Sequence, residues 1–332
     1  MEDPGEQGSR AVKGPISIIV PVFNSLPYLR LTHESLLAAM RDFDGAELVY
    51  CDNGSEDGSI EFLERRAGPR ITLLHVPGAT VGGVRNEGAR STNGDLLLFL
   101  DSDCTVPREY LSLLIERFAA TDAAAIGCRV VLPEDSHWIA RTWHQLHFPR
   151  ESGFVRWINS ANFCIQRGAF EAIGGFSEAI ETGEDAEIGL RLLERGFRLY
   201  QDLRLSVTHH KNPSSLYLFW RREVWRGLGA FGTARKGTID KPLTMTLAFG
   251  VSVLGSMFFL AFFRAGLVQR ILLATTLLLL VPLVTVFYRS FQRGRVVSPA
   301  RSTLLYFLYY SARLEALVRL LARNAFPKIS TG

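Results

Sequence analysis

From Ile16 onward the chain alternates between two textures: short β-branched or apolar runs, and longer stretches whose apolar residues recur at helical spacing. The runs predict strands at 16–22, 46–51, 71–76, 95–100 and 124–132, with helices between them at 26–40, 59–66, 81–91 and 108–119. Continuous apolar strands separated by helices predict an α/β fold, a Rossmann-like, mostly parallel sheet flanked by helices on both faces. Further on, 158–166 reads as a strand and 183–195 as an amphipathic helix with Ile188, Leu192 and Leu193 on one face. The last strand lies within 197–208. The stretch 133–157 has no clear period and holds Trp138, Trp143, Trp157, His137, His144 and His147; a packed surface excursion and a substrate-binding segment both fit it.

The pattern then changes. Residues 243–263 and 271–288 carry no charge, and each run is long enough to cross about 30 Å of hydrocarbon. The short, arginine-bordered connection 264–270 predicts a hairpin of two transmembrane helices over 241–290, and Pro282 is tolerable in such a helix. Basic residues favour one side: Arg235, Lys236, Lys241, Arg289, Arg293, Arg295 and Arg301, against Arg264 and Arg270 in the hairpin loop. That side, with the α/β domain, is expected to be cytoplasmic, which makes the chain a multi-pass protein of the inner (plasma) membrane. Residues 303–326 mix leucines with Arg313, Arg319 and Arg323, so 291–332 is expected to be a basic amphipathic segment lying in the interface. A third span there would have to bury Arg313, Glu315 and Arg319.

Charge sharpens this picture. The chain has 332 residues and a net charge of +4. From residue 241 onward, eleven Lys/Arg against Glu315 alone give +10, which leaves −6 for the first 240 residues. An acidic front and a basic, apolar tail argue against a nucleic-acid binder and suit a domain held to anionic lipids. The four cysteines have neither zinc nor disulfide spacing, so buried, reduced thiols are expected. Residues 1–14 are polar and Gly-rich without an apolar h-region. They read as a flexible lead-in, not a signal peptide, ahead of a domain at 15–240.

Parallel sheets bind ligands at the carboxyl ends of their strands, and here those ends are acidic. Asp52-Asn53-Gly54 follows the second strand and Asp101-Ser102-Asp103 the fourth. Two carboxylates one residue apart at the end of a buried strand suit Mg²⁺ or Mn²⁺, and a cation there would stabilise a leaving diphosphate. Glu184-Asp185 opens the amphipathic helix after a glycine; helix capping and general-base catalysis fit it equally. A G-x-G-x-x-G after the first strand and a P-loop are both lacking.

Four stretches, SIIVPVFN (17–24), CDNGSEDGS (51–59), GGVRNEGARSTNGDLLLFLDSDC (82–104) and GEDAEIGLRLLERG (183–196), taken in this order, make residues 16–210 resemble a family-2 glycosyltransferase of the GT-A fold. The resemblance implies a nucleotide-sugar donor (UDP-, GDP- or dTDP-linked), a divalent metal and inversion at the anomeric carbon in one displacement. It implies that Pro21, Phe23, Asp52 and Asn53 line the nucleotide pocket, that Arg85 and Asn86 make polar donor contacts, and that Asp101 and Ser102 lie at the ribose or metal. Asp103 would ligate the metal, with His209 or His210 after the last strand helping, though a surface or core histidine fits equally. Asp185 would be the catalytic base with Glu184 beside it. Processive synthases carry Q-x-x-R-W before their membrane helices; here Arg221 and Val224 replace the Gln and the Arg while Trp225 stays. Transfer of one sugar per encounter is therefore expected, onto a hydroxyl of a lipid-linked or membrane-proximal saccharide in polysaccharide or glycolipid biosynthesis. Arg221, Arg222 and Arg226 suit either a diphosphate or lipid headgroups. The alternatives are a polyprenyl-phosphate sugar synthase and a catalytically silent membrane scaffold.

Overall fold

The computed structural model describes residues 14–232 and 241–325; Arg235, Lys236 and all but Gly14 of the polar lead-in lie outside them. Its strands are β1 (Ile16–Val22), β2 (Ala46–Asp52), β3 (Ile71–His75), β4 (Leu96–Leu100), β5 (Cys104–Thr105), β6 (Ala125–Val131), β7 (Gly153–Val155), β8 (Asn162–Gln166) and β9 (Leu199–His209). The helices are α1 (Leu26–Arg41), α2 (Ser59–Glu64), α3 (Val81–Arg90), α4 (Tyr110–Ala119), α5 (Trp138–His147), α6 (Arg167–Ala172), α7 (Glu184–Glu194), α8 (Leu216–Gly232), α9 (Lys241–Phe262), α10 (Leu267–Arg293) and α11 (Pro299–Ala325). They form two compact units. The first runs to Glu134 and resumes over Phe148–Lys211; the second takes Asp135–His147 and the chain from Asn212.

In the first unit one sheet runs in the order β3-β2-β1-β4-β8-β6-β9-β5, with β7 paired to β9. The half from β3 to β4 is parallel, as expected from its helix-separated apolar strands. The other half is mixed, because β8 runs antiparallel to both β4 and β6 while β6 and β9 are parallel. Strand alternation sends successive side chains to opposite faces. Ile18 and Val20 of β1, with Leu96, Leu98 and Leu100 of β4, join one core with Leu29, Leu36, Tyr110 and Leu114 of α1 and α4. Ile19, Leu97 and Phe99 join the other, with Val84, Phe170, Ile188 and Leu192 of α3, α6 and α7. Both faces are covered, so the apolar run of each parallel strand is explained. The four cysteines are buried and free, and burial pushes the Cys51 and Cys128 thiols up to about 12.

The second unit is helical. The aperiodic stretch 133–157 contains α5 and β7. Its helix was obscured because Ile139, Trp143 and Leu146, the buried stripe, are interrupted by exposed or half-buried tryptophan, arginine and histidine. That stripe packs with Phe219 of α8, Phe249 of α9 and Leu305, Tyr306 and Tyr310 of α11. The α9 and α10 helices are each long and apolar enough to cross a membrane by length and composition, and few of their residues are buried. They pack on each other, with the Ser256 hydroxyl donating to the Ala274 carbonyl at 2.9 Å. Such small polar contacts are common between apolar helices. Pro282 lies within α10.

Candidate active site

The loops after β1 and β2 are stitched together by backbone donors. The N–H of Asn53 donates to the Val22 carbonyl at 2.9 Å, that of Asn24 to the Ser55 hydroxyl at 3.0 Å, and that of Leu26 to the Asp57 carboxylate at 2.9 Å. At the end of β2, Asp52 is 1% exposed. Its Oδ2 accepts the N–H groups of Gly54 (2.8 Å) and Ser55 (3.0 Å), while Oδ1 is buried without a partner among the described residues. A buried carboxylate oxygen with no donor is costly, so this atom is suited to a ligand donor. Phe23 is exposed and Pro21 half-buried at the same sheet edge. Asn53 spends its side-chain amide on the backbone of Ala79, donating at 2.9 Å and accepting at 3.2 Å. It straps the β3–α3 loop to the β2 end.

Asp101-Ser102-Asp103 leaves β4 in a turn closed by the Cys104 N–H on the Asp101 carbonyl at 3.0 Å. The Thr32 hydroxyl, buried on α1, donates to the Ser102 carbonyl at 2.9 Å and fixes the turn from below. The β5 strand then pairs antiparallel with β9, setting Cys104 opposite His209. This brings His209 Nε2 to 3.6 Å from Asp103 Oδ1. His210 is turned differently: its N–H donates to the Asp103 carbonyl at 2.9 Å and its Nε2 lies 3.0 Å from the Thr105 hydroxyl. Of the two candidate histidines, His209 is the one whose ring meets the Asp103 carboxylate.

Possible ligand atoms of Asp103, Cys104 and His209 lie within 4.8 Å of one another. Burial raises the Cys104 thiol well above its ordinary range, and sulfur is a soft ligand poorly matched to Mg²⁺ or Mn²⁺. Asp103 and His209 are then left as candidate ligands, a carboxylate oxygen and an imidazole nitrogen of the kind Mn²⁺ accepts. Asp101 and Glu184 pair with the permanent cation Arg85, Asp185 lies within its field, and Asp103 adds its charge beside Asp101. Burial pushes the Asp101 carboxyl up to about 6, Arg85 pulls it back, and Asp103 raises it again. This crowding of negative charge fits a divalent cation.

Arg85 of α3 holds the two acidic motifs together. The residue is 2% exposed, donating from Nη1 to Glu184 Oε1 at 2.7 Å and from Nη2 to Asp101 Oδ1 at 2.9 Å. Gly88 makes this reach possible. A Cβ there would sit 2.4 Å from Ile19 Cγ2 and 2.8 Å from Cys51 Sγ, so only glycine lets α3 lie this close to β1 and β2. Asn86 turns to the chain around 176–178, donating to the Phe176 carbonyl (2.9 Å) and Glu178 (2.8 Å) and accepting the Phe176 N–H (2.9 Å). The Arg85 Nη groups and the Asn86 amide are therefore committed to protein groups. Removing Arg85 would leave two carboxylates facing each other without their cation. Arg85→Gln is expected to destabilise the fold by roughly 3–5 kcal/mol, read as a lower melting temperature; an unchanged melting temperature would refute the bracket.

Gly183 adopts φ +90°, a left-handed conformation that favours glycine, and starts α7 directly at Glu184. Glu184 is buried between Arg85 and the Ser160 hydroxyl, which donates to it at 3.3 Å. Asp185 Oδ1 accepts the Ala186 N–H at 2.8 Å. Burial and then the Glu184 charge raise the Asp185 pKa against the backbone donors, which favours a base that can hold a proton. Thr32, Ser160 and Glu178 were not visible as site residues in the sequence. Thr32 alone leaves a trace there, as a polar residue on the apolar stripe Leu29–Leu36 of α1.

An α/β sheet covered on both faces, with an orphaned Asp52 oxygen, a D-S-D turn and a helix-borne carboxylate pair at one edge, defines an enzyme of the GT-A class. The chain belongs to the family-2 glycosyltransferases: residues 17–171 match Glycosyl transferase family 2 and residues 96–310 match Glycosyl transferase family group 2. It is 28% identical over 222 residues to the O-antigen biosynthesis protein RfbC of Myxococcus xanthus, covering 60% of this chain and 17% of that protein. It is 25% identical over 217 residues to the succinoglycan biosynthesis protein ExoA of Rhizobium meliloti, covering 61% and 66%. The chain thus spans less than two thirds of either relative. The fold is similar to that of the mannosyltransferase PcManGT from Pyrobaculum calidifontis, solved in complex with GDP-Man and Mn²⁺. The TM-score is 0.59 at 16% identity, covering 98% of this chain and 92% of that one.

Proposed function

We propose that the chain is a metal-dependent, inverting glycosyltransferase moving one sugar per encounter from a nucleotide-sugar donor to a hydroxyl of a lipid-linked or membrane-proximal saccharide. The observation that carries this reading is the Arg85 bracket, which joins the D-S-D turn to the Glu184-Asp185 helix start. Leaving-group and base chemistry thereby meet at one sheet edge. Asp52 Oδ1 would accept from the nucleotide base, with Pro21 and Phe23 against its ring and Asn53 holding the loop beneath. Asp101, Asp103 and His209 would hold Mg²⁺ or Mn²⁺, and Ser102 would sit at the donor. The bound metal supplies electrostatic stabilisation of the departing diphosphate. Asp185 takes the proton of the acceptor hydroxyl as its oxygen bonds to the anomeric carbon, while the bond from that carbon to the diphosphate oxygen breaks on the opposite face. Glu184, paired with Arg85, stands beside Asp185 at the start of α7.

The domain reading that goes with this is a GT-A domain at 15–240, a transmembrane hairpin at 241–290 and a basic amphipathic segment at 291–332. It sets the catalytic domain on the cytoplasmic side of the inner membrane. The apolar length of α9 and α10 supports it, as do the basic residues that border them on one side. Relatives named for O-antigen and succinoglycan biosynthesis support an envelope polysaccharide or glycolipid as the product class.

Donor binding tests the proposal. Detergent-purified chain is heated with UDP, GDP or dTDP, with and without Mn²⁺. One nucleotide is expected to raise the melting temperature only with metal, with about 2.7 kcal/mol of stabilisation at a hundredfold excess over Kd. No shift with any nucleotide, in protein shown to be folded, would refute the donor site and favour a silent scaffold.

A further inference from the structure

The helical unit holds a charged cluster that the reaction above does not use. Glu223 of α8 is 1% exposed and gathers three arginines. Arg313 of α11 approaches from Nη2 to Oε2 at 3.2 Å, Arg226 from Nη1 to Oε1 at 3.3 Å, and Arg222 from Nε to Oε1 at 3.6 Å. A Cβ at Gly227 would sit 2.7 Å from Ala316 Cβ and 3.2 Å from Arg313 Cδ, so this glycine lets α11 close on α8 at the level of Arg313. Burial raises the Glu223 pKa, but the arginines outweigh it and hold the carboxylate ionised.

Among the described residues of this cluster one carboxylate balances one guanidinium, and two positive charges remain. Burial and the neighbouring Arg226 push Arg222 down to about 10, a mark of cations crowded out of water. The Nε groups of Arg222 and Arg313 are buried and make no hydrogen bond among the described residues, and Arg313 is 8% exposed. Arg222 is 24% and Arg226 43% exposed at the side chain, so the cluster opens to the surface along α8. A buried Arg313 Nε with no hydrogen bond among the described residues, an Arg222 Nε held only at ion-pair distance from Glu223, and a surplus of two charges call for an anion with several oxygens.

We propose that Arg222, Arg226 and Arg313 form a binding site for a phosphate or diphosphate group. The group could be carried by a lipid or be free in solution. A lipid source deepens the acceptor reading above and rests on it, because the same anchor would hold a lipid-linked saccharide by its phosphate. The arginine site itself does not depend on transfer activity.

The test measures binding of farnesyl diphosphate and of inorganic diphosphate to the full chain in detergent, by calorimetry in EDTA, which removes metal from the donor site. Wild-type protein is expected to bind farnesyl diphosphate. Arg222→Gln/Arg226→Gln should weaken it roughly tenfold or more, Arg222→Lys/Arg226→Lys less, and Asp103→Asn not at all. Equal affinity in the double glutamine variant overturns the proposal, as does a loss confined to Asp103→Asn, which would assign the diphosphate to the donor site. Helical circular dichroism checks the fold, and the half-exposed Arg226→Gln alone serves if the double variant unfolds. Much tighter binding of farnesyl than of inorganic diphosphate supports the lipid source; equal binding overturns that source and supports a free anion. Loss of binding in the glutamine variants of a protein that shows no nucleotide shift would separate this site from the proposed function.

Discussion

Asp103→Asn is expected to lower metal-dependent turnover roughly 10²- to 10³-fold while leaving the fold intact. The amide matches the carboxylate in shape, so packing in the turn is unchanged. The Arg85 bracket is made by Asp101 and Glu184, not by Asp103, and it survives. What is lost is one anionic oxygen facing His209. A Mn²⁺ titration of activity, with a thermal melt as the folding control, reads both parts; full activity without added metal would end the metal assignment. Metal affinity should also depend on pH. Asp101 is pushed up to about 6, so a cation binding there displaces a proton once the pH falls below that value. Affinity is therefore full above about 6 and declines as pH falls through it.

Asp185→Asn is expected to reduce kcat roughly 10²- to 10⁴-fold with little change in donor affinity, because it removes only the proton acceptor. Its carboxylate must be ionised to act. Burial and Glu184 raise its pKa, so the wild-type rate should fall, with decreasing pH, at a higher pH than an ordinary aspartate would dictate. At saturating metal, which suppresses the Asp101 titration, this acid limb should disappear in the Asn variant. The residual rate across pH checks it. An unchanged rate would remove Asp185 as the base and favour a phosphate acceptor, which arrives already ionised.

Much of the fold was legible in the chain. The strands β1, β2 and β4 stand within a residue of the apolar runs that predict them, because a strand buried on both faces must be apolar throughout. Helices α9 and α10 were legible for a similar reason, since uncharged runs of that length have few other uses. The α5 helix was not legible, because its buried stripe of Ile139, Trp143 and Leu146 is diluted by polar neighbours and meets its partners only through contacts distant in sequence.

By itself the sequence determined the alternation of strands and helices from β1 to β6, the acidic strand ends and the family resemblance, since these rest on local periodicity and short-range motifs. Tertiary structure decided how the acidic groups are used. Arg85 and Asn86 are adjacent in sequence, yet one clamps Asp101 to Glu184 and the other ties down the backbone at Phe176. Of His209 and His210, β-pairing with Cys104 turns the first toward Asp103. Glu223 becomes a hub for three arginines only when α11 packs on α8 at Gly227. In each case the deciding partner comes from another element of the fold, and no local pattern encodes which side chain a buried charge will meet.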